Sequence, residues 1–319
     1  MLDVFITVDV EIWCNGWKDI DSRFPDAYRR YIHGPTASGE FGLPYQLRVL
    51  SEHGLTGVFF VEPLFAARFG RQPLADIVGM IRSAGHEVQL HLHPEWIDEA
   101  RQPLLQRAQD KRQHLGFFSL DEQTELLRQA RAMLVEAGAA DVNAFRAGSF
   151  GFNRDTLLAL AANGIPFDSS YNATMFGPES GVMPGMLLTD PVLCDGVAEY
   201  PMTVYRDGRG LRHTQLTSCT SAELEGLLWQ ALEQGREAFV LLSHGFELLN
   251  TAKTRSDPTV VERFQRLCGF LERNRDSFRT AGFAGRTPTP SGTQHGPLTS
   301  PLHRTGWRML EQAYRRRYG

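Results

Sequence analysis

The chain has 319 residues with 33 basic and 37 acidic side chains, a formal net charge of −4. A surface so mixed in sign lacks the electrostatic footprint of a nucleic-acid binder. A hydrophobic content of 42% against 22% charged residues is ordinary for a globular protein, and the length supports one large α/β domain or two small ones.

Leu2 to Trp13 alternates, with Val4, Ile6, Val8 and Val10 on one face and Phe5, Thr7, Asp9 and Glu11 on the other. Two carboxylates at the end of such a strand need partners or a metal unless they emerge into solvent. Cys14 to Glu40 shows no sustained period and is expected to be a long loop walling a site. Pro44 to His53 is spaced as a helix with Gly54 as its stop, Leu55 to Val61 as a buried strand, and Pro73 to Ala84 as a helix. That helix delivers the chain to GHEVQLHLHPEW, Gly85 to Trp96, where His91, His93 and Glu95 alternate. Side chains two apart share one face of a strand, so these groups would converge as in a metal site; a solvated His pair is the plainer alternative.

Ser119 and Glu122 form a capping box for a helix to about Ala137. A short strand containing Arg146 then breaks into a Gly-rich turn, Asn153 caps a helix over Asp155 to Ala162, and a further strand carries Asp168. Met175 to Val197 reads as loop and Val197 to Tyr205 as a strand. Thr220 and Glu223 make a second capping box, and the run EAFVLLSHGFELL, Glu237 to Leu249, gives an apolar strand ending in Ser243 and His244. Asp257 with Pro258 opens a last helix through Leu271. Strand and helix alternate about six times, which predicts a parallel sheet, closed into a barrel or left open as a doubly wound layer.

Residues 1–283 are expected to form the main domain and 284–302, crowded with Pro, Gly, Ser and Thr, a flexible linker. Residues 303–319 form a basic amphipathic helix with Trp307, Leu310 and Tyr314 on one side, either docked on its own domain or in peripheral contact with a membrane. No uninterrupted run of about 18 apolar residues provides a membrane span. The cysteines Cys14, Cys194, Cys219 and Cys268 form no C-x-x-C pair. With no basic leader before the first strand, the expected address is the cytoplasm.

Parallel α/β folds gather functional residues at the carboxyl ends of their strands. Asp9, Glu11, His91, His93, Arg146, Asp168 and His244 all fall at such ends, so one shared site explains them together. Two His nitrogens and a carboxylate suit zinc or another divalent ion with open positions for water and substrate. Such an ion activates water and polarises a carbonyl. The second carboxylate can serve as general base and an unliganded His as acid toward a leaving amine. Arg146 would hold the base ionised, and Asp168 would do the same service for His244.

These residues resemble the ordered motifs of the NodB-type polysaccharide deacetylases, carbohydrate esterase family four, over about residues 2 to 275. Thr7-Val8-Asp9-Val10-Glu11 corresponds to the first motif, T-F-D-D, and Gly85-His86-Glu87 through His91 and onward to the second. Arg146-Ala147-Gly148-Ser149 corresponds to R-x-P-Y, Asp168 to the fourth motif, and Leu241-Leu242-Ser243-His244 to L-x-x-H. The resemblance implies a distorted (β/α) barrel of about seven parallel strands and metal-dependent removal of an N-acyl group, usually acetyl, from a sugar. It also implies Asp9 as base, Arg146 as its tether, the Ser149 N–H as oxyanion donor and His244 as acid.

Two departures stand out. Val10 replaces the usual metal-binding Asp, so Glu11 or Asp9 takes that place. Strict register puts the last histidine of the second motif at Glu95, whereas His93 is the nearer imidazole; Glu11, His91 and His93 are the preferred ligand set, with Glu95 open as another. The expected substrate is an amino sugar, nucleotide sugar or lipid-linked glycan used in surface polysaccharide assembly. A related amidohydrolase acting on a non-sugar amide, or an inactive glycan-binding homologue, are the competing readings.

Overall fold

The computed structural model describes residues 1–106 and 111–318, with the side chains of 314 and 316–318 set aside. The expected placement of Tyr314 on the last helix therefore lies outside the described side chains. The chain divides into two compact units, one of 1–57, 203–281 and 295–319 and the other of 58–202 and 282–294.

In the first unit, Leu2–Val10 is buried along its whole length. It runs parallel to Ala238–His244, with Asp9 opposite His244, and its first residues pair with Phe278–Thr280. Both faces of this strand are covered, which is why Phe5 and Thr7 are as buried as Val4 and Val8. Thr7 meets the cost of burial by donating its hydroxyl to the Leu241 carbonyl at 2.7 Å. Leu43–Glu52, Ser221–Glu233 and Pro258–Arg273 are the longer helices of the core here. The Thr220–Glu223 capping box forms as expected, and Asp257 caps its helix by accepting from the Thr259 and Val260 amides.

In the second unit Gly57–Val61, Glu87–Leu92, Ala144–Ala147, Phe167–Asp168 and Val197–Glu199 lie in that order, all parallel, with Val192–Cys194 antiparallel at the edge. Gln72–Ser83, Leu120–Glu136 and Arg154–Ala162 are the intervening helices, and the caps expected of Ser119 and Asn153 are both present. The buried Gln89 holds two strands in register, its side-chain oxygen accepting from the Asn143 and Ala144 amides at 3.0 and 2.8 Å. Parallel strands alternating with helices bear out the expected (β/α) class.

Two expectations change. The stretch from Cys14 to Glu40 is not wholly loop: it holds the helix Ile20–Tyr28, continued by a π-helical turn Arg29–His33. Ile20, Phe24, Ala27 and Tyr31 bury one face at helical spacing, although Pro25 lies inside and Asp19 enters in a left-handed conformation without a side-chain cap. The strand expected over Val197 to Tyr205 is two strands, Val197–Glu199 and Val204–Asp207.

The C-terminal helix, Leu302–Tyr318, docks through its arginines rather than its aromatic side. Arg308 is buried between Asp207, Glu223 and the Tyr205 hydroxyl, while Trp307 and Leu310 are 64% and 66% exposed. The 284–302 stretch, expected as a linker, is tied down at two points. The Gln294 side chain accepts from the Thr189 amide at 2.9 Å and donates to the Asp190 carbonyl at 3.0 Å, and Leu298–Thr299 pairs with Tyr205 and Arg206. No described helix is long and apolar enough to cross a membrane.

Candidate metal and acid–base site

Glu11 in the first unit and His91 and His93 in the second are all buried. The donor chemistry fits a divalent ion. His91 lies opposite Arg146 in the strand register, and its Nδ1 is 2.8 Å from the Arg146 carbonyl oxygen. A carbonyl only accepts, so Nδ1 carries the proton and Nε2 keeps a lone pair for coordination.

His93 follows the end of its strand in an extended conformation, its ring 4.9 Å from that of His91 and nearly perpendicular to it. Glu95 is displaced from the strand alternation because Pro94–Glu99 turns into a 3₁₀ helix. It does not join the ligand group. Its carboxylate lies 3.4 Å from His93 Nδ1, the position of a group that orients a ligand imidazole through its other nitrogen. Glu95 therefore sits beside His93 rather than in alternation with it.

The turn after Ala147 also fixes His93. A Cβ at Gly148 would lie 2.6 Å from His93 Nδ1, so the backbone is pressed against the ring face. Ser149 and Phe150 both take left-handed backbone angles, φ 53° and 56°, which costs about 1–3 kcal/mol each and marks a turn held by its surroundings.

Arg146 is fully buried. Its Nε donates to the Ser169 carbonyl and one Nη to the Ser169 hydroxyl, both at 3.1 Å, and the guanidinium stacks 4.4 Å from the Phe60 ring centroid. Asp168 and Glu199 lie together nearby, both fully buried. Asp168 accepts the Ser170 hydroxyl at 2.6 Å, and Glu199 accepts the Tyr171 amide at 3.0 Å. Burial raises both carboxyl pKa values, that of Glu199 well above the ordinary range with Asp168 adding to it.

The service expected of Asp168 toward His244 falls instead to Glu247. His244 Nδ1 lies 2.8 Å from Glu247 Oε1, while its Nε2 faces Glu11 Oε1 at 4.0 Å. Burial works against a charged imidazole, but the bond to Glu247, aided by Glu11 and Asp9, outweighs it and pushes the pKa up to about 9. His244 is therefore protonated at neutral pH, the state an acid needs. Asp9 is buried at the register position opposite His244.

Glu62 was also passed over, because the apolar strand reading stopped one residue short of it. It is fully buried, accepts from the Leu64 amide at 2.7 Å and has its pKa raised to about 8 by burial. A lone acid closing the run GVFFV was the available signal.

No family model matches the chain, and no curated protein matches it. Solved structures do. A family 4 carbohydrate esterase from Streptomyces lividans in complex with acetate is 12% identical, with a TM-score of 0.46 over 92% of this chain and 97% of that one. The chitin deacetylase of the fungal pathogen Colletotrichum lindemuthianum is 14% identical, with a TM-score of 0.45 over 92% and 96%. A CE4 family pseudoenzyme from Bacillus anthracis is 13% identical, with a TM-score of 0.43 over 87% and 66%. At such identities these likenesses assign no activity, which has to be argued from the side chains.

Proposed function

We propose that the chain is a metal-dependent hydrolase that removes an N-acyl group, acetyl foremost, from an amino sugar or glycan precursor. What supports this reading is, in one unit, the His91 and His93 pair with rings 4.9 Å apart, and in the other the buried Glu11 beside an imidazole that Glu247 keeps protonated; Glu11, His91 and His93 are the ligands we propose. A divalent ion held by those ligands, zinc by their chemistry, would supply Lewis acidity toward the amide carbonyl and toward water.

The chain's own residues would do the rest. Asp9 would take the proton from the attacking water, with Arg146 holding it ionised. The Ser149 amide would donate to the developing oxyanion. His244 would give its proton to the departing amine, and Glu247 would fix its orientation. A cytoplasmic address would suit a biosynthetic precursor rather than an exported polymer, and the exposed side of the last helix would lie on a membrane surface.

Acetate release from N-acetylated amino sugars, measured beside metal content, tests the assignment. His244→Ala should abolish turnover with metal content unchanged, and His91→Ala should lose both. A wild-type protein that retains no divalent ion, or a fully active His244→Ala variant, would sink it.

A further inference from the structure

A cleft of about 780 Å³ lies directly beside His244, within the range of roughly 300–1,000 Å³ usual for ligand pockets. Four cations reach it from separate elements. Arg209 and Arg212 come from the hairpin formed by Val204–Asp207 and Gly210–His213, Lys253 from the loop after the His244 strand, and Arg315 from the C-terminal helix. The carboxylates that face them are Glu247 and Asp257 in the lining, with Asp207 behind the hairpin.

Each of those acids has prior commitments. Glu247 holds His244, Asp257 accepts Arg315 Nε at 2.9 Å and caps its own helix, and Asp207 pairs with the buried Arg308. Arg212 is 3.8 Å from Asp207, a loose contact. Glu11 also acts on Lys253, so acids and cations are matched in number, and it is those prior commitments of the acids that leave cationic groups in the lining for a ligand.

Several are also positioned in advance. Arg315 is anchored to the Thr217 carbonyl at 3.0 Å as well as to Asp257. The Lys253 ammonium sits 4.3 Å from the Tyr31 ring centroid and 4.8 Å from that of Phe246, on a left-handed backbone with φ 55° that residues bearing a Cβ rarely adopt. The Phe246 ring in turn lies 5.4 Å from the His244 ring. Phe246 and Glu247, both in the lining, thus connect the cleft with the acid group. Arginines in a planar fork match phosphate oxygens two at a time, and a lysine adds a point charge.

We infer that this cleft binds the phosphate or pyrophosphate of a phosphate-linked amino sugar, which narrows the substrate class from glycans at large to activated sugar precursors. The inference rests on the deacylase reading for the sugar and on the cleft alone for the phosphate. The zinc-loaded full chain should bind inorganic pyrophosphate in calorimetric titration, more weakly as salt rises. Arg209→Gln, at an exposed hairpin position, and Lys253→Gln should together weaken that binding about tenfold or more. Absence of binding, or binding indifferent to both Arg209→Gln alone and the pair, would overturn it.

The second arm reads KM for acetate release from a nucleoside-diphosphate N-acetylhexosamine, a prenyl-diphosphate N-acetylhexosamine and a neutral N-acetylglucosamine oligomer. A lower KM for either diphosphate, raised by the variants, supports the proposal and tells nucleotide from lipid. An equal KM for the neutral oligomer overturns it while leaving the deacylase intact. Variant-sensitive pyrophosphate binding with no acetate from any sugar upholds the anion site and removes the deacylase reading.

Discussion

Gly148 shows how one missing methyl group sets the position of a distant ligand. The His93 ring fills the space where a side chain at 148 would start, so Gly148→Ala should push the imidazole aside without unfolding the strand turn. Zinc content measured by elemental analysis should fall roughly 10-fold or more, as for loss of other groups that orient a ligand, with little change in the circular dichroism spectrum. Retention of full metal content would refute this. A second residue-scale consequence concerns Glu199 and Asp168. Both folded-state pKa values are raised, so their contribution to stability is complete below the unfolded carboxyl pKa of about 4 and is lost as pH rises through the folded values. Glu199→Gln supplies the shared hydrogen permanently. Thermal melts should then show a variant whose Tm declines less than that of the wild type as pH rises above the unfolded carboxyl pKa of about 4; parallel curves would count against it.

At the scale of elements, the features readable beforehand were those encoded over a few residues. Ser119, Asn153, Thr220 and Asp257 cap the helices they precede because a cap is a contact across three positions. The proximity of His91 and His93 was legible for the same reason, as strand alternation. The strand end at His244 was legible, but Glu247 three residues on was hidden, because it lies in an apolar stretch and only the turn after the strand carries the carboxylate back to the imidazole. Glu95 misled in the opposite sense, since Pro94 starts a 3₁₀ turn that removes it from the alternation. The last helix presents an apolar side made of Leu302, Trp307, Met309 and Leu310 because its arginines, not its hydrophobes, find the partners. If that side meets lipid, the protein should sediment with anionic vesicles, and Trp307→Ser with Leu310→Ser should leave it in the supernatant. Sedimentation unaffected by the pair would dismiss the contact.

For the whole molecule, the α/β class followed from repeated alternation, but the division of the chain did not. Both compact units are discontinuous in sequence, and no linker composition marks the passage at 57–58 or 202–203. A bound ion stabilises only the folded state, by about 2.7 kcal/mol at a hundredfold excess over its Kd. Chelation should therefore lower the Tm by several degrees and added zinc restore it; an unchanged melt would contradict a metal bound by Glu11, His91 and His93. The pairing of Leu2–Val10 also matters for synthesis. Its partners Ala238–His244 and Phe278–Thr280 lie far along the sequence, so a largely apolar strand core stays open on that side until they are made. Such a segment invites aggregation unless charges flank it. Asp3 on one side and Asp9 with Glu11 on the other bracket Val4 to Val8, so the acids proposed for chemistry also serve as gatekeepers for the nascent protein.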